Sequence, residues 1–143
     1  MSSVALAQIL TPDQVPVVVK EGFQTKFPAV KVAEWKLKSD KNYEAEFTLR
    51  GTEIAAKFDS AGKWLETESS ISRFNVPKAV RETSTKTFKG YKVIERQSVQ
   101  RWNEEHLIYE LHMENAKEVV KAQFSAEGEI LNQSSKPKTA NGK

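Results

Sequence analysis

Two histidines, His106 and His112, and a set of carboxylates at strand spacing are the residues that could carry out chemistry in this chain. Six strand residues at about 3.3 Å each hold the two imidazoles roughly 20 Å apart, too far to share a metal or act as a catalytic pair. They are expected on the solvated surface. Glu44 with Glu46, and Glu66 with Glu68, are carboxylate pairs two residues apart, which places each pair on one face of a strand. Such pairs do acid–base work only where burial shifts their pKa values. On a solvated sheet they are charged surface. Asp59 and Lys63 flank Gly62 without the alternating acidic ligands of a calcium loop, so this segment reads as a turn. The serines at Ser69-Ser70 and Ser134-Ser135 have no Gly-x-Ser-x-Gly elbow. The chain has no cysteine, which excludes thiol nucleophiles, disulfides and sulfur-ligated metals but leaves the compartment open. These residues predict no catalytic site, no metal and no cofactor.

The elements that must position them come twice. Val15-Pro16-x-x-Val19 with Phe27 returns as Val76-Pro77-x-x-Val80 with Phe88, at an offset of 61 residues. Ala56-x-Phe58-x-x-x-Gly62-x-x-Leu65 returns as Ala122-x-Phe124-x-x-x-Gly128-x-x-Leu131, at an offset of 66. Two anchors in one order define a tandem repeat, and repeats of about sixty residues share a core.

In the first half, Val15, Val18, Val19, Phe23 and Phe27 follow helical spacing, and Phe27-Pro28 ends the helix. The period then becomes two. Ala33, Trp35 and Leu37, then Tyr43, Ala45, Phe47 and Leu49, then Ile54, Ala56 and Phe58 alternate with polar residues, and a last strand runs from Lys63 to about Ser70. The second half predicts a helix over 77–88 and strands near 91–102, 105–114, 118–125 and 129–134. Strand 91–102 has Tyr91 and Val93 on one phase and Ile94 and Trp102 on the other, which a bulge would reconcile.

Charge narrows the partners. Of the net +3, the basic excess lies in a tail holding Lys136, Lys138 and Lys143, and the remainder has 19 residues of each sign. A neutral body lacks the basic stripe of a nucleic-acid binder. No apolar run is long enough for a transmembrane segment. Val4-Ala5-Leu6-Ala7-Gln8 reads as the end of a secretory signal, with small residues at the positions signal peptidase inspects before Gln8. The resulting expectation is a periplasmic or otherwise exported protein with a signal cut short before Gln8.

Helix, meander, duplication and turn together resemble the PepSY-like, or β-lactamase-inhibitor-like, proteins of bacteria. The residues that carry the resemblance are Val15-Pro16, Phe23, Phe27-Pro28-x-Val30, Trp35, Tyr43-x-Ala45-x-Phe47, Gly51, Ala56-x-Phe58-Asp59-x-x-Gly62-x-Trp64-x-x-Thr67-Glu68, Val76-Pro77 and Gly90-Tyr91. The resemblance implies an α+β fold of two tandem α-β-β-β-β repeats, forming one extended antiparallel sheet with two helices on one face. It further implies export across a Gram-negative inner membrane, and binding or inhibition as the activity. The second half departs from it, with Ser125 where Asp59 stands and Ile130 where Trp64 stands. The expected organisation is a residual signal end or disordered start at 1–12, one domain at 13–133 (repeats 13–73 and 74–133), and a disordered basic tail at 134–143.

The polar phase assigns Glu44, Glu46, Lys57, Trp64, Glu66 and Glu68 of the first repeat to the helix-free sheet face. It assigns Trp102, Ile108, Glu110, His112 and Lys121 of the second repeat there as well. Trp64 and Trp102 are either exposed recognition anchors or are tucked under a loop or bulge. The expectation is a non-enzymatic module that binds a protein, peptide or envelope component through this face. The alternative is an envelope structural or chaperone-like protein without a discrete ligand. A contiguous aromatic patch favours the first and a uniformly charged face the second.

Overall fold

A computed structural model describes residues 7–31 and 33–139. The elements are β1 (Gln8–Leu10), α1 (Val17–Lys26), β2 (Glu34–Leu37), β3 (Tyr43–Leu49), β4 (Thr52–Phe58), β5 (Trp64–Ser70), α2 (Lys78–Thr87), β6 (Lys92–Arg101), β7 (Ile108–Glu114), β8 (Glu118–Phe124) and β9 (Ile130–Pro137). A short 3-10 turn precedes each helix, at Pro12–Gln14 and Arg73–Asn75. The fold is α+β, and its antiparallel sheet runs in chain order from β1 to β9. The residues cluster into two units: one through Ser69 with Arg101–Asn103, the other Ser70–Gln100 with the residues from Glu104 onward.

In the first unit, Val19 and Phe23 are buried one turn apart on α1, while Val15 is buried beside them from the extended segment before Pro16 and Val18 faces out, 44% exposed. Pro16 and Pro77 stand just before the helices with φ of −55° each, where a missing N–H costs nothing. The stripe of α1 packs on the alternate residues of the strands: Trp35, Ala45, Phe47, Ala56 and Phe58. The core is aromatic. Phe23 meets Trp35, Phe47 and Phe58 edge-on at centroid distances of 5.3, 5.5 and 6.1 Å.

In the second unit, Val76, Val80 and Phe88 pack on Leu111, Met113, Val120, Ala122 and Phe124. Phe58 and Phe124 occupy equivalent positions, neither with exposed surface. The repeated turn glycine has a packing cause. Gly62 and Gly128 have φ of +85° and +88°, and a Cβ there would lie 2.3 Å from the Val18 carbonyl oxygen and 2.5 Å from that of Ala79. Each helix backbone rests directly on its turn. Asp59 Oδ1 closes the first turn by accepting from the N–H groups of Ala61 and Lys63, at 2.9 and 3.0 Å. Ser125 Oγ closes the second with one bond, from Glu129 N–H at 3.1 Å.

The ends of the chain differ from expectation. Gln8–Leu10 is a strand, with Leu10 opposite Trp35, so this part of the expected disordered start is ordered by pairing. Of the expected cleavage motif, Val4, Ala5 and Leu6 lie outside the described residues. Ser134–Pro137 of the expected disordered tail belongs to β9, where Ser135 pairs with Val120 and Lys136 with Val119. Backbone pairing needs no apolar side chains, which is why a polar composition did not reveal it. Residues 140–143 lie outside the described residues. The anticipated bulge in strand 91–102 falls at Ile94, between Val93 and Glu95.

Candidate functional site

On the face of the first unit away from α1, charged side chains alternate with the core residues. Glu44 faces Lys36 across the β2–β3 ladder and Lys57 across β3–β4, and Lys57 faces Glu66 across β4–β5. Lys36 Nζ donates to Glu46 at 2.8 Å, and Lys57 Nζ donates to Asp40 at 3.1 Å. Lys38 lies 3.8 Å from Glu44, and Arg101 Nε donates to Glu66 at 3.3 Å. Cross-strand pairing of opposite charges is what orders this array. Glu68 sits opposite Ala55 on the same phase.

The array perturbs its members. Burial pushes the Glu44 carboxyl above its ordinary value; Lys38 opposes this, and neighbouring Glu46 adds to it. Glu46 shifts the other way: burial raises it, but the Lys36 hydrogen bond, with further help from Glu44 and the lysine charges, brings it below. Burial lowers Lys57, yet Asp40 and Glu66 hold it above its ordinary value.

The second unit has a different arrangement at the matching positions. Glu110, only 2% exposed, accepts from Gln123 Nε2 at 2.9 Å and lies 2.8 Å from His112 Nε2. Glu95 lies 3.2 Å from His112 Nδ1. Both ring nitrogens can donate to these two carboxylates together only in the imidazolium form. Burial raises the Glu110 carboxyl, but the bonds from His112 and Gln123 and the Lys121 charge outweigh it and bring it below its ordinary value. Lys121 faces His112 across β7–β8 and is exposed.

Three of the residues assigned to an open face behave otherwise. Trp64 packs against the helix-side core, with Nε1 donating to Thr67 Oγ1 at 2.8 Å and Lys26 Nζ 3.8 Å above its ring. The cause is a bulge: Lys57 pairs with Glu66 but Phe58 pairs with Trp64, so Leu65 is the extra residue and the phase reverses. Ile108 is buried, paired with Val99, which has no exposed surface. Glu110 is withdrawn from solvent by its own hydrogen bonds. Trp102 is 52% exposed in the turn after β6, with Lys63 Nζ 3.2 Å from its ring centroid.

The structure thus brings together Glu44, Glu46, Lys57 and Glu66 in one unit, and Glu110, His112 and Lys121 in the other. Lys36, Lys38, Asp40, Arg101, Glu95 and Gln123 join them. Of these, only Lys36 and Lys38 are among the polar residues that alternate with Ala33, Trp35 and Leu37 in the sequence. Among the described residues, no group of three or more His, Cys, Asp or Glu side chains could hold a metal ion. No described helix is long and apolar enough to cross a membrane.

Fold and faces define a helix-backed antiparallel sheet protein with a charged, uncovered face. The chain belongs to the family described as "Putative beta-lactamase-inhibitor-like, PepSY-like", whose profile matches residues 5–55 and 41–132. Among solved structures, it resembles a protein described as periplasmic from Bacteroides eggerthii (19% identity, 89% of this chain and 93% of that one, TM-score 0.77). It also resembles a DUF2874 family protein from Bacteroides uniformis (20% identity, 84% and 88%, TM-score 0.75). A third similar structure is a BLIP-like protein from Bacteroides fragilis (23% identity, 88% and 87%, TM-score 0.69). These likenesses establish the fold. Among curated proteins, none matches this chain.

Proposed function

We propose that the protein is an exported, non-enzymatic binding module of the cell envelope, and that it engages a protein or peptide through the helix-free face of its first unit. The observation that carries this reading is the array of Glu44, Glu46, Lys57, Glu66 and Arg101. No helix covers these side chains, yet they are part-buried and held by cross-strand pairs. A fixed pattern of alternating charge gives specificity and steers association with a complementary surface. Trp102, at the margin of the same unit, supplies an exposed aromatic anchor. The inhibitor-like description of the family and the periplasmic description of one structural relative support binding and export.

A second reading, an envelope structural or chaperone-like protein, draws on a specific feature. With Trp64 on the core side, the described residues of this face hold no contiguous aromatic patch, and charge dominates it. Chemical cross-linking in envelope extract separates the two. Replacing Glu46 and Glu66 by Gln together with Trp102→Ser should abolish a discrete cross-linked complex while leaving the thermal midpoint within a few degrees of wild type. A complex formed equally by wild type and variant excludes this face as the binding surface.

A further inference from the structure

The second unit contains a cleft on its helix side for which the first unit provides the control. Trp35 and Phe23 fill the aromatic core of the first repeat. At the repeat offset of 61, their counterparts are Arg96 and Ser84. The register agrees, since Trp35 pairs with Ala45 while Arg96 pairs with Leu111 at the matching position of β7. Losing two large rings leaves a cleft of about 470 Å³ lined by Arg73, Arg81, Arg96, Ser84 and Thr85, with Val93 and Leu111 among its apolar walls.

The polar lining has one sign. Three arginines line the cleft and no carboxylate does. Among the described residues, none of the three has a salt-bridge partner. Arg81 is fixed through Nε, which donates to the Val76 carbonyl at 3.3 Å, leaving its two terminal nitrogens for another acceptor. Phe74, 81% exposed, stands at the cleft with the Arg73 guanidinium 4.8 Å from its ring. An unpaired guanidinium where the sister repeat buries tryptophan opposes stability. A departure from local consistency of this kind is expected where a site has a function.

We propose that this cleft binds a small anion, a carboxylate or phosphate carried on an apolar or aromatic body. Guanidinium groups present planar forked donors that match both anions. The volume, and the apolar walls of Phe74, Val76, Val93 and Leu111 beside the polar groups, suit a small ligand that is part apolar and part charged. The site is independent of the sheet face proposed above, because it lies on the helix side of the second unit.

The test is an NMR titration of the full chain with phenyl phosphate and with benzoate. Inorganic phosphate, which lacks the apolar body, and benzyl alcohol, which lacks the charge, are the comparison probes. Phenyl phosphate or benzoate should shift the signals of Arg96, Ser84 and Phe74 and saturate, with both comparison probes at least about tenfold weaker. The tighter of the two aromatic anions identifies the anion class. Arg96→Gln should weaken binding about tenfold. Ser84→Phe, which restores the first repeat's side chain, should remove it. If Ser84→Phe fails to fold, Arg96→Gln decides alone. Absence of shifts in the cleft, equal binding of inorganic phosphate, or unchanged binding by Arg96→Gln overturns the proposal.

Discussion

The first repeat closes its core with aromatic rings, and the second builds the same backbone with Ser84 and Arg96 in place of two of them. Phe23 touches four other rings, whereas Ser84 donates its hydroxyl to Met113 Sδ at 3.3 Å. Both helices nevertheless start after proline, end on phenylalanine and rest on a turn glycine. Backbone contacts and the fully buried phenylalanine of the third meander strand therefore set the architecture. The positions between them are free to diverge. The sheet faces diverge likewise. Glu44 and Glu110 are equivalent, but the residue two places on is Glu46 in one repeat and His112 in the other. A carboxylate neighbour contributes to raising Glu44, and an imidazole neighbour helps to lower Glu110.

The sharpest way to break the equivalence is at its centre. Phe58→Ala and Phe124→Ala should each cost about 3–5 kcal/mol, because each empties a site with no exposed surface. Chemical denaturation of both variants measures this, and an unchanged midpoint in either removes that phenylalanine from the shared scaffold.

Exchanging the divergent positions sharpens the comparison. Trp35→Arg places a charge among aromatic rings and should cost about 3–5 kcal/mol. Arg96→Trp fills an existing cleft and should be neutral or raise the thermal midpoint. Equal losses in both directions would mean that Arg96 is a structural element of its own repeat.

The smallest effects come from the paired carboxylates. Glu110 has a folded-state pKa below its unfolded value of about 4.5, so its contribution is present above that value and is lost as pH falls through the folded pKa. Glu44 has a raised folded-state pKa, so its contribution is present below about 4.5 and is lost as pH rises through the folded pKa. Glu110→Gln should therefore lower the midpoint at neutral pH, with the gap to wild type closing on acidification. Glu44→Gln should show the opposite sign at neutral pH. Thermal melts across pH check both, and the same sign in both variants would contradict the assigned neighbours.

Much of this molecule is local in origin, and so is readable from residue order. The helical spacing of Val19 and Phe23, the two-residue alternation of β3 and β4, and the turn glycines all follow from spacings within a few residues. Duplication is the recurrence of those short patterns at offsets of 61 and 66, and the balanced charge of the body is read from composition. Tertiary structure alone decided what depends on a partner strand. An extra residue at Leu65 reversed the face of Trp64, because register is a property of two strands and one added residue flips every side chain beyond it. Pairing ordered Gln8–Leu10 and Ser134–Pro137 through backbone groups that composition does not encode. Ile108 and Glu110 alternated correctly and were buried all the same. Their exposure was set by Val99, Gln123 and His112 across the ladders and along the strand, contacts that exist only once the strands have paired.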